Sequence, residues 1–172
     1  ELQQALNDAF KDMRKAGLIA RQNFSCCGNC AGYEMTQIAV KRRKSGKTVN
    51  GCVFYHAQDN AHKERGEEFY LGFGKMNSSE IGTIGLETDK VGQFVCAALS
   101  QHGIKHNWDG KAETRIQVIG LVSDFCQYHP ETKLDGSHEC DTCLKEIVAR
   151  GIERAAEDRE QKEIFAKETG AI

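Results

Sequence analysis

The residues of this chain with the clearest chemical potential are four metal-binding side chains near its C-terminus. Cys126 and His129 form one pair, and Cys140 and Cys143 form a second pair after ten intervening residues. The two-residue spacing within each pair lets a tight turn aim two donors at one ion, and three thiolates with one imidazole suit Zn²⁺. Because four protein ligands leave no open coordination position, the sequence predicts a structural zinc site rather than a catalytic one.

Buried cysteines that only fill a core are the alternative explanation for these four residues. The segments around them, 127–131 and 137–142, are polar and rich in turn-forming residues, whereas core cysteines usually lie in apolar runs. The metal site is therefore the better interpretation, and Zn²⁺ is the cofactor that we expect.

A second group of cysteines lies near the N-terminus, at Cys26, Cys27 and Cys30. Cys27 and Cys30 again have the two-residue spacing of a metal-binding turn. Cys52 and His56 are an even number of residues apart on a predicted strand, so they share one side of it and would supply further donors. The sequence leaves open whether these residues bind a second metal ion or form a buried thiol cluster.

A catalytic interpretation of the same residues also exists. Cys27 or Cys30 at the start of a helix would have a lowered pKa. His56 would then act as the base and Asp59 would orient its imidazole ring, as in a thiol or metal hydrolase. Only residue type and chain order support this arrangement, so no catalytic residue is assigned and a non-enzymatic role is favoured.

One dense basic run offers a contact to nucleic acid, through Lys41, Arg42, Arg43, Lys44 and Lys47. Cations at the end of a helix also complement the helix dipole and remain solvated, which is the commoner situation. The run has no interleaved aromatic residues, and the whole chain carries a formal net charge of −2. Nucleic-acid binding is therefore kept as an alternative that is not favoured.

Composition is that of a globular protein without a membrane span. No run approaches the roughly 18 apolar residues that a span requires. The eight cysteines are clustered like metal ligands, which favours a reduced, cytoplasmic setting over a disulfide framework. The first residues have the pattern of a helix rather than of a secretory signal. Because the chain does not begin with Met, the sequence leaves open whether it has been trimmed.

Hydrophobic periodicity predicts an α+β fold with helices packed on a mostly antiparallel four-stranded sheet. Two domains are expected, an α+β domain over 1–121 and a zinc-knuckle module with a long C-terminal helix over 122–172. The predicted helices cover 2–16, 30–44, 59–65 and 88–102, and the predicted strands cover 51–56, 68–73, 104–108 and 114–121. The last two strands flank Asp109-Gly110, a dipeptide suited to a tight hairpin turn.

Several motifs in the first domain resemble an uncharacterised family of small bacterial proteins. They are Phe24-x-Cys26-Cys27-x-x-Cys30, Gly51-x-x-Phe54-Tyr55-His56-x-Gln58-Asp59, Tyr70-Leu71-x-Phe73-Gly74, Trp108-Asp109-Gly110 and Arg115-Ile116. The resemblance covers roughly residues 1–120 and implies no activity. The tail resembles a treble-clef or zinc-ribbon unit and is similar to short Cys/His tails of phage and bacterial proteins.

These patterns together predict a zinc-stabilised intracellular interaction protein. Its C-terminal helix would bind a protein partner or a second copy of the chain, in a role related to phage or host interaction. Sequence does not identify that partner or fix the oligomeric state.

Overall fold

The structure is a computed structural model that describes residues 1–122. The zinc-knuckle module and long helix predicted beyond this range lie outside the described residues, as do Cys126, His129, Cys140 and Cys143. The described elements, in chain order, are α1 (Leu2–Lys15), β1 (Leu18–Arg21), α2 (Gly28–Lys44), β2 (Gly51–Phe54), α3 (Ala57–Glu64), β3 (Phe69–Gly74), β4 (Met76–Ser78), β5 (Gly82–Ile84), α4 (Thr88–Gln101), β6 (Ile104–Asn107) and β7 (Ile116–Leu121).

Five strands form the main sheet, in the order β1-β2-β3-β7-β6. β1 and β2 are parallel, and the other three neighbouring pairs are antiparallel. A mostly antiparallel sheet is thus confirmed, but the predicted number of four strands is wrong. The missed strand is β1, which has only four residues and is buried on both faces, so it shows no polar–apolar alternation. β4 and β5 form a separate two-stranded sheet.

One face of the main sheet packs against α1 and α4. The side chains of Leu18, Ala20 and Val53 point to this face, because alternate residues of a strand face opposite sides. Tyr55 lies at its centre, with its ring edge-to-face against Phe10 at a centroid distance of 6.0 Å and against Phe69 at 5.2 Å. Burying such large rings supplies much of the hydrophobic stabilisation of this layer.

The opposite face of the sheet packs against α2. Ile19 and Cys52 point to this side and join Met35 and Ala39 of the helix in a second buried cluster. Met76 and Ile84 of the small sheet, with Val40 and Val49, complete it. The domain therefore has three layers, with α2 on one side of the sheet and α1 with α4 on the other.

A close contact between α4 and the sheet forms around Gly92. A Cβ atom at this position would lie 2.6 Å from Trp108 and 2.7 Å from Phe73, so the two rings occupy the space of a side chain. These rings meet edge-to-face at 5.4 Å. Phe94 of α4 is 40% exposed. The buried face of α4 is formed by side chains that are smaller than phenylalanine. The close approach of the helix to the sheet at Gly92 favours such side chains.

None of the helices in the described range combines the length and the apolar character needed to cross a membrane.

Replacing Gly92 by Ala should lower the free energy of unfolding by about 1–3 kcal/mol, because the added methyl group overpacks the contact with Trp108 and Phe73. Gly32 in α2 is the matched control, since no atom lies within 4 Å of a Cβ built there. Gly32→Ala should raise stability by about 0.5–1 kcal/mol through helix propensity alone. Denaturant unfolding measures both values, and equal stabilisation by the two variants would contradict the packing described for α4.

Candidate thiol and metal site

The N-terminal cysteines lie at one edge of the sheet, where β1 and β2 both end. Because these strands are parallel, their carboxyl ends meet at the same edge, a common location for ligand sites in α/β structures. The segment 22–27 leaves β1 and leads into α2, whereas His56 directly follows β2 and precedes α3. The fold thus brings two distant parts of the sequence to one place.

Two hydrogen bonds fix the segment 22–27 against the residues after β2. The amide of Phe24 donates to the carbonyl of Tyr55 at 2.9 Å, and the amide of Ala57 donates to the carbonyl of Ser25 at 3.1 Å. Asn23 and Ser25 have φ angles of 47° and 66°, in the left-handed region. Non-glycine residues in this region cost on the order of 1 kcal/mol or more, and such strain is often found at functional sites.

The thiols of Cys26, Cys27 and Cys30 form a compact cluster at the start of α2. Their sulfur atoms all lie within 4.8 Å of one another, and the Cys26 thiol donates to Sγ of Cys27 at 3.9 Å. Cys26 and Cys30 are exposed and Cys27 is half-buried. In residues 1–122, this is the sole group of three or more cysteine, histidine or acidic side chains so arranged. The cluster could hold a metal ion.

Cys27 occupies the N-cap position of α2 with an extended backbone, next to the free N–H groups of the first turn. It makes no conventional capping hydrogen bond. Even so, the backbone N–H of Cys30 and the thiols of Cys30 and Cys26 favour a negative charge on its sulfur and lower the pKa of the Cys27 thiol. Cys27 is therefore the group in the cluster best suited to be a thiolate.

Cys30, Cys52 and Cys96 show the opposite effect. Hydrogen bonding with Cys26 and Cys27 raises the pKa of Cys30 to about 11. Burial raises the pKa of Cys52 to about 12 and the pKa of Cys96 to about 11. At neutral pH these three thiols should stay protonated in the metal-free chain.

His56, Asp59 and Arg115 form a polar group beside the cluster. His56 and Asp59 are the two buried polar residues of the described range, with 7% and 5% exposure. Oδ2 of Asp59 lies 3.1 Å from Nδ1 of His56 and accepts a hydrogen bond from the Arg115 guanidinium at 2.7 Å. Arg115 also donates to the carbonyl of Tyr70 at 2.7 Å. The buried carboxylate thus has a partly exposed cation that offsets its charge.

The same contacts start α3. His56 is its N-cap, and reciprocal hydrogen bonds between His56 and Asp59 form a capping box. The predicted helix over 59–65 therefore starts too late, because Asp59 occupies the third helical position. Both residues have a structural role that is independent of any chemistry.

The imidazole of His56 packs against the first residue of α2. A Cβ built on Gly28 would lie 3.9 Å from Cδ2 and from Nε2 of the ring, an ordinary contact distance. Among residues 1–122, no hydrogen bond joins His56 to a cysteine. Of the nucleophile, base and orienting group considered from the sequence, the structure joins only the base and the orienting group, His56 and Asp59.

The five residues predicted as a second metal or thiol site are brought together in part. Cys26, Cys27 and Cys30 meet, but no ligand atom of Cys52 or His56 lies within 4.8 Å of all three sulfur atoms. Cys52 points into the apolar cluster beneath α2. The even spacing of Cys52 and His56 is not decisive, because β2 ends at Phe54 and His56 belongs to the next helix.

Arg115 is the member of this region that sequence reasoning missed as a site residue. It precedes β7 and lies 56 residues from Asp59 along the chain. Its only sequence signal was membership in the Arg115-Ile116 motif.

The basic run lies at the other end of α2. Lys41 to Lys44 occupy the last helical turn, where cations complement the helix dipole. Lys44 forms an ion pair with Glu80. Arg43 and Lys44 line a surface pocket together with Ile81, Thr83 and Ile84. The arrangement explains these cations without nucleic acid, and nucleic-acid binding stays a prediction.

The fold and the cysteine cluster together define the class of this domain. It is an α+β domain that carries three thiols on its surface, at the edge of the sheet where the two parallel strands end. Residues 3–122 match the family described as a domain of unknown function, DUF6891, and the chain belongs to that family. This confirms the expectation of an uncharacterised family over the first domain. No curated protein and no solved structure matches the chain.

Iodoacetamide should alkylate Cys27 faster than any other cysteine of residues 1–122 when metal has been removed. A lowered pKa means that the Cys27 thiolate persists below pH 9, the ordinary thiol value, and is lost only as the pH falls through its own pKa. Cys96 and Cys52 should react more slowly than Cys27, because burial raises the pKa of both thiols and limits access to them. Mass spectrometry of peptides measures each rate across pH. Alkylation of Cys26, Cys30, Cys52 or Cys96 at a rate equal to or above that of Cys27 would overturn this assignment.

Cys52→Ser should lower the free energy of unfolding by about 1–3 kcal/mol, because it buries a hydroxyl group among apolar side chains. Cys26→Ser is the matched control at an exposed position and should change stability by less than about 0.5 kcal/mol in metal-free protein. Denaturant unfolding in the presence of a chelator makes the comparison. Equal effects of the two substitutions would contradict the core position of Cys52.

Proposed function

We propose that this protein is zinc-binding and that Cys26, Cys27 and Cys30 are the zinc ligands of its DUF6891 domain. The ion would fix the start of α2 against the segment 22–27. The observation that carries the proposal is that the three sulfur atoms lie within 4.8 Å of one another. Thiolate sulfur is a soft donor, and zinc is a common metal of all-thiolate sites.

The spacing of the sulfur atoms supports a shared ion. Zinc–sulfur bonds are about 2.3 Å long, so two thiolates on one tetrahedral zinc lie about 3.8 Å apart. The distance between Sγ of Cys26 and Sγ of Cys27 is 3.9 Å. The two neighbouring sulfur atoms are therefore already near the separation that coordination demands, and binding would need little rearrangement.

Charge and backbone strain favour the same conclusion. Three thiolates on a divalent ion leave one negative charge, and the N-terminus of a helix stabilises negative charge. The left-handed residues Asn23 and Ser25 cost conformational energy in the same segment. A metal bridge between this segment and α2 would offset that cost, because metal-binding free energy adds to folding free energy.

Three protein ligands leave one coordination position for a further donor. Water or a side chain of a partner would fill it. This position fits the predicted role of a zinc-stabilised interaction protein. The second predicted zinc site, at Cys126, His129, Cys140 and Cys143, and the partner-binding C-terminal helix lie outside the described residues and stay predictions.

Elemental analysis of the full chain, purified without chelators, tests the proposal through variants. Cys27→Ser and Cys30→Ser should each lose about one equivalent of zinc relative to the unaltered chain, because two thiolates hold zinc far less tightly than three. Cys96→Ser, in the half-buried α4 position, is the control and should retain all of it. Cys140→Ser separates the predicted tail site, since it should leave the zinc at Cys27 and Cys30 in place.

The proposal fails if Cys27→Ser and Cys30→Ser bind as much zinc as the unaltered chain. It also fails if the unaltered chain contains zinc that Cys140→Ser removes completely, since the tail would then be the sole site.

A further inference from the structure

The positions of Cys27 and Cys30 on α2 allow a second chemistry besides metal binding. Cys27 is the N-cap and Cys30 is the third helical residue. Residues with this separation on a helix have Cα atoms roughly 5–6 Å apart, from a rise of about 1.5 Å per residue. Disulfides require Cα separations of about 4.4–6.8 Å. The backbone therefore already permits a bond between these two sulfur atoms.

Cys26 is a poorer partner for Cys27. Consecutive Cα atoms are only about 3.8 Å apart across a trans peptide, which is below the disulfide range. The described range contains no cis peptide bond. Cys52 is excluded from the cluster because it lies in the buried core beneath α2. Among the possible partners of Cys27, Cys30 is thus the one best suited to bond.

We propose that Cys27 and Cys30 are a dithiol–disulfide couple that exchanges with small disulfides and reduces them. This activity goes beyond the proposed zinc binding and uses the same thiols when no metal occupies them. The pair follows a β-strand, opens a helix and belongs to a β1-α2-β2 unit with parallel strands, which is the structural setting of Cys-x-x-Cys redox motifs.

The exchange proceeds in two steps that balance. Sγ of Cys27, as the thiolate, attacks one sulfur of the substrate disulfide, forms a mixed disulfide and releases the other half as a thiolate, which takes a proton from water. Sγ of Cys30 loses its proton to water and attacks Sγ of Cys27. The second half of the substrate leaves as a thiolate and takes a proton from water. The substrate gains two electrons, and the chain becomes the Cys27–Cys30 disulfide.

Cys27 is assigned the attacking role by its position. Cys27 is the N-cap of α2, beside the free N–H groups of the first helical turn, where a thiolate is favoured. Cys30 lies within 4.8 Å of that sulfur, so it can resolve the mixed disulfide without a change of fold. Exposure of the cluster gives a small disulfide access to both groups.

Oxidised glutathione is the probe, added to the full chain after chelator treatment and followed by alkylation and tryptic mass spectrometry. Residues 22–41 form one tryptic peptide with all three cluster cysteines, whereas 48–63 and 91–105 carry Cys52 and Cys96 as internal controls. Peptide 22–41 should lack two hydrogen atoms and carry a single alkyl group, on Cys26, with fragment ions placing the bond between Cys27 and Cys30. The control peptides should stay reduced.

Two variants assign the roles. Cys30→Ser should stop at a stable mixed disulfide of Cys27 with glutathione, and Cys27→Ser should react at least about tenfold more slowly than the unaltered chain. Cys26→Ser should still form the internal disulfide. The inference is overturned if Cys27→Ser reacts at the unaltered rate, if the bond joins Cys26 to Cys30, or if no internal disulfide forms.

The outcomes separate this inference from zinc binding. A chain that loses zinc in Cys27→Ser but forms no internal disulfide would retain the proposed function and refute the exchange activity. A chain that forms the disulfide but holds no zinc at the cluster would do the reverse.

Discussion

The parallel pairing of β1 and β2 is the constraint on which the site depends. Parallel neighbours cannot be joined by a tight turn, so the chain must cross over a face of the sheet, here through α2. That crossover covers the second face and builds the cluster of Ile19, Met35 and Cys52. It also requires α2 to begin at the edge where β2 ends. The three thiols and His56 meet there for this reason.

Helices and long strands were predictable because their hydrophobic patterns are strong. The observed bounds are close to the predicted bounds for the helices α1, α2 and α4 and for the paired strands β6 and β7. β1, β4 and β5 were missed because they have three or four residues and little alternation. Their positions are set by contacts across the sheet and beneath α2. Those contacts join residues that are distant in sequence and leave no local pattern.

The site was predictable to the extent that it is local. The spacing of Cys27 and Cys30 indicated a turn at the start of a helix, which is where the structure places them. Residues that required knowledge of the tertiary fold were assigned less well. Alternation along β2 indicated that Cys52 faces one side of the sheet. It did not indicate that α2 covers that side. Arg115 and Asp59 form a hydrogen bond although they belong to different parts of the sequence. No rule of residue spacing predicts such a contact.

The placement of the aromatic residues gives the domain one optical signal that belongs to a single layer. Trp108 is the only tryptophan of the chain, and it packs with α4 against the face of the sheet opposite α2. Tyr33 lies on the exposed surface of α2, one helical turn beyond Cys30, with 70% exposure. Tryptophan emission therefore follows the packing of the α1–α4 layer. Tyrosine absorption does not separate the two layers, because Tyr55 is buried in the α1–α4 layer, so the tryptophan is the signal that reports on one layer alone.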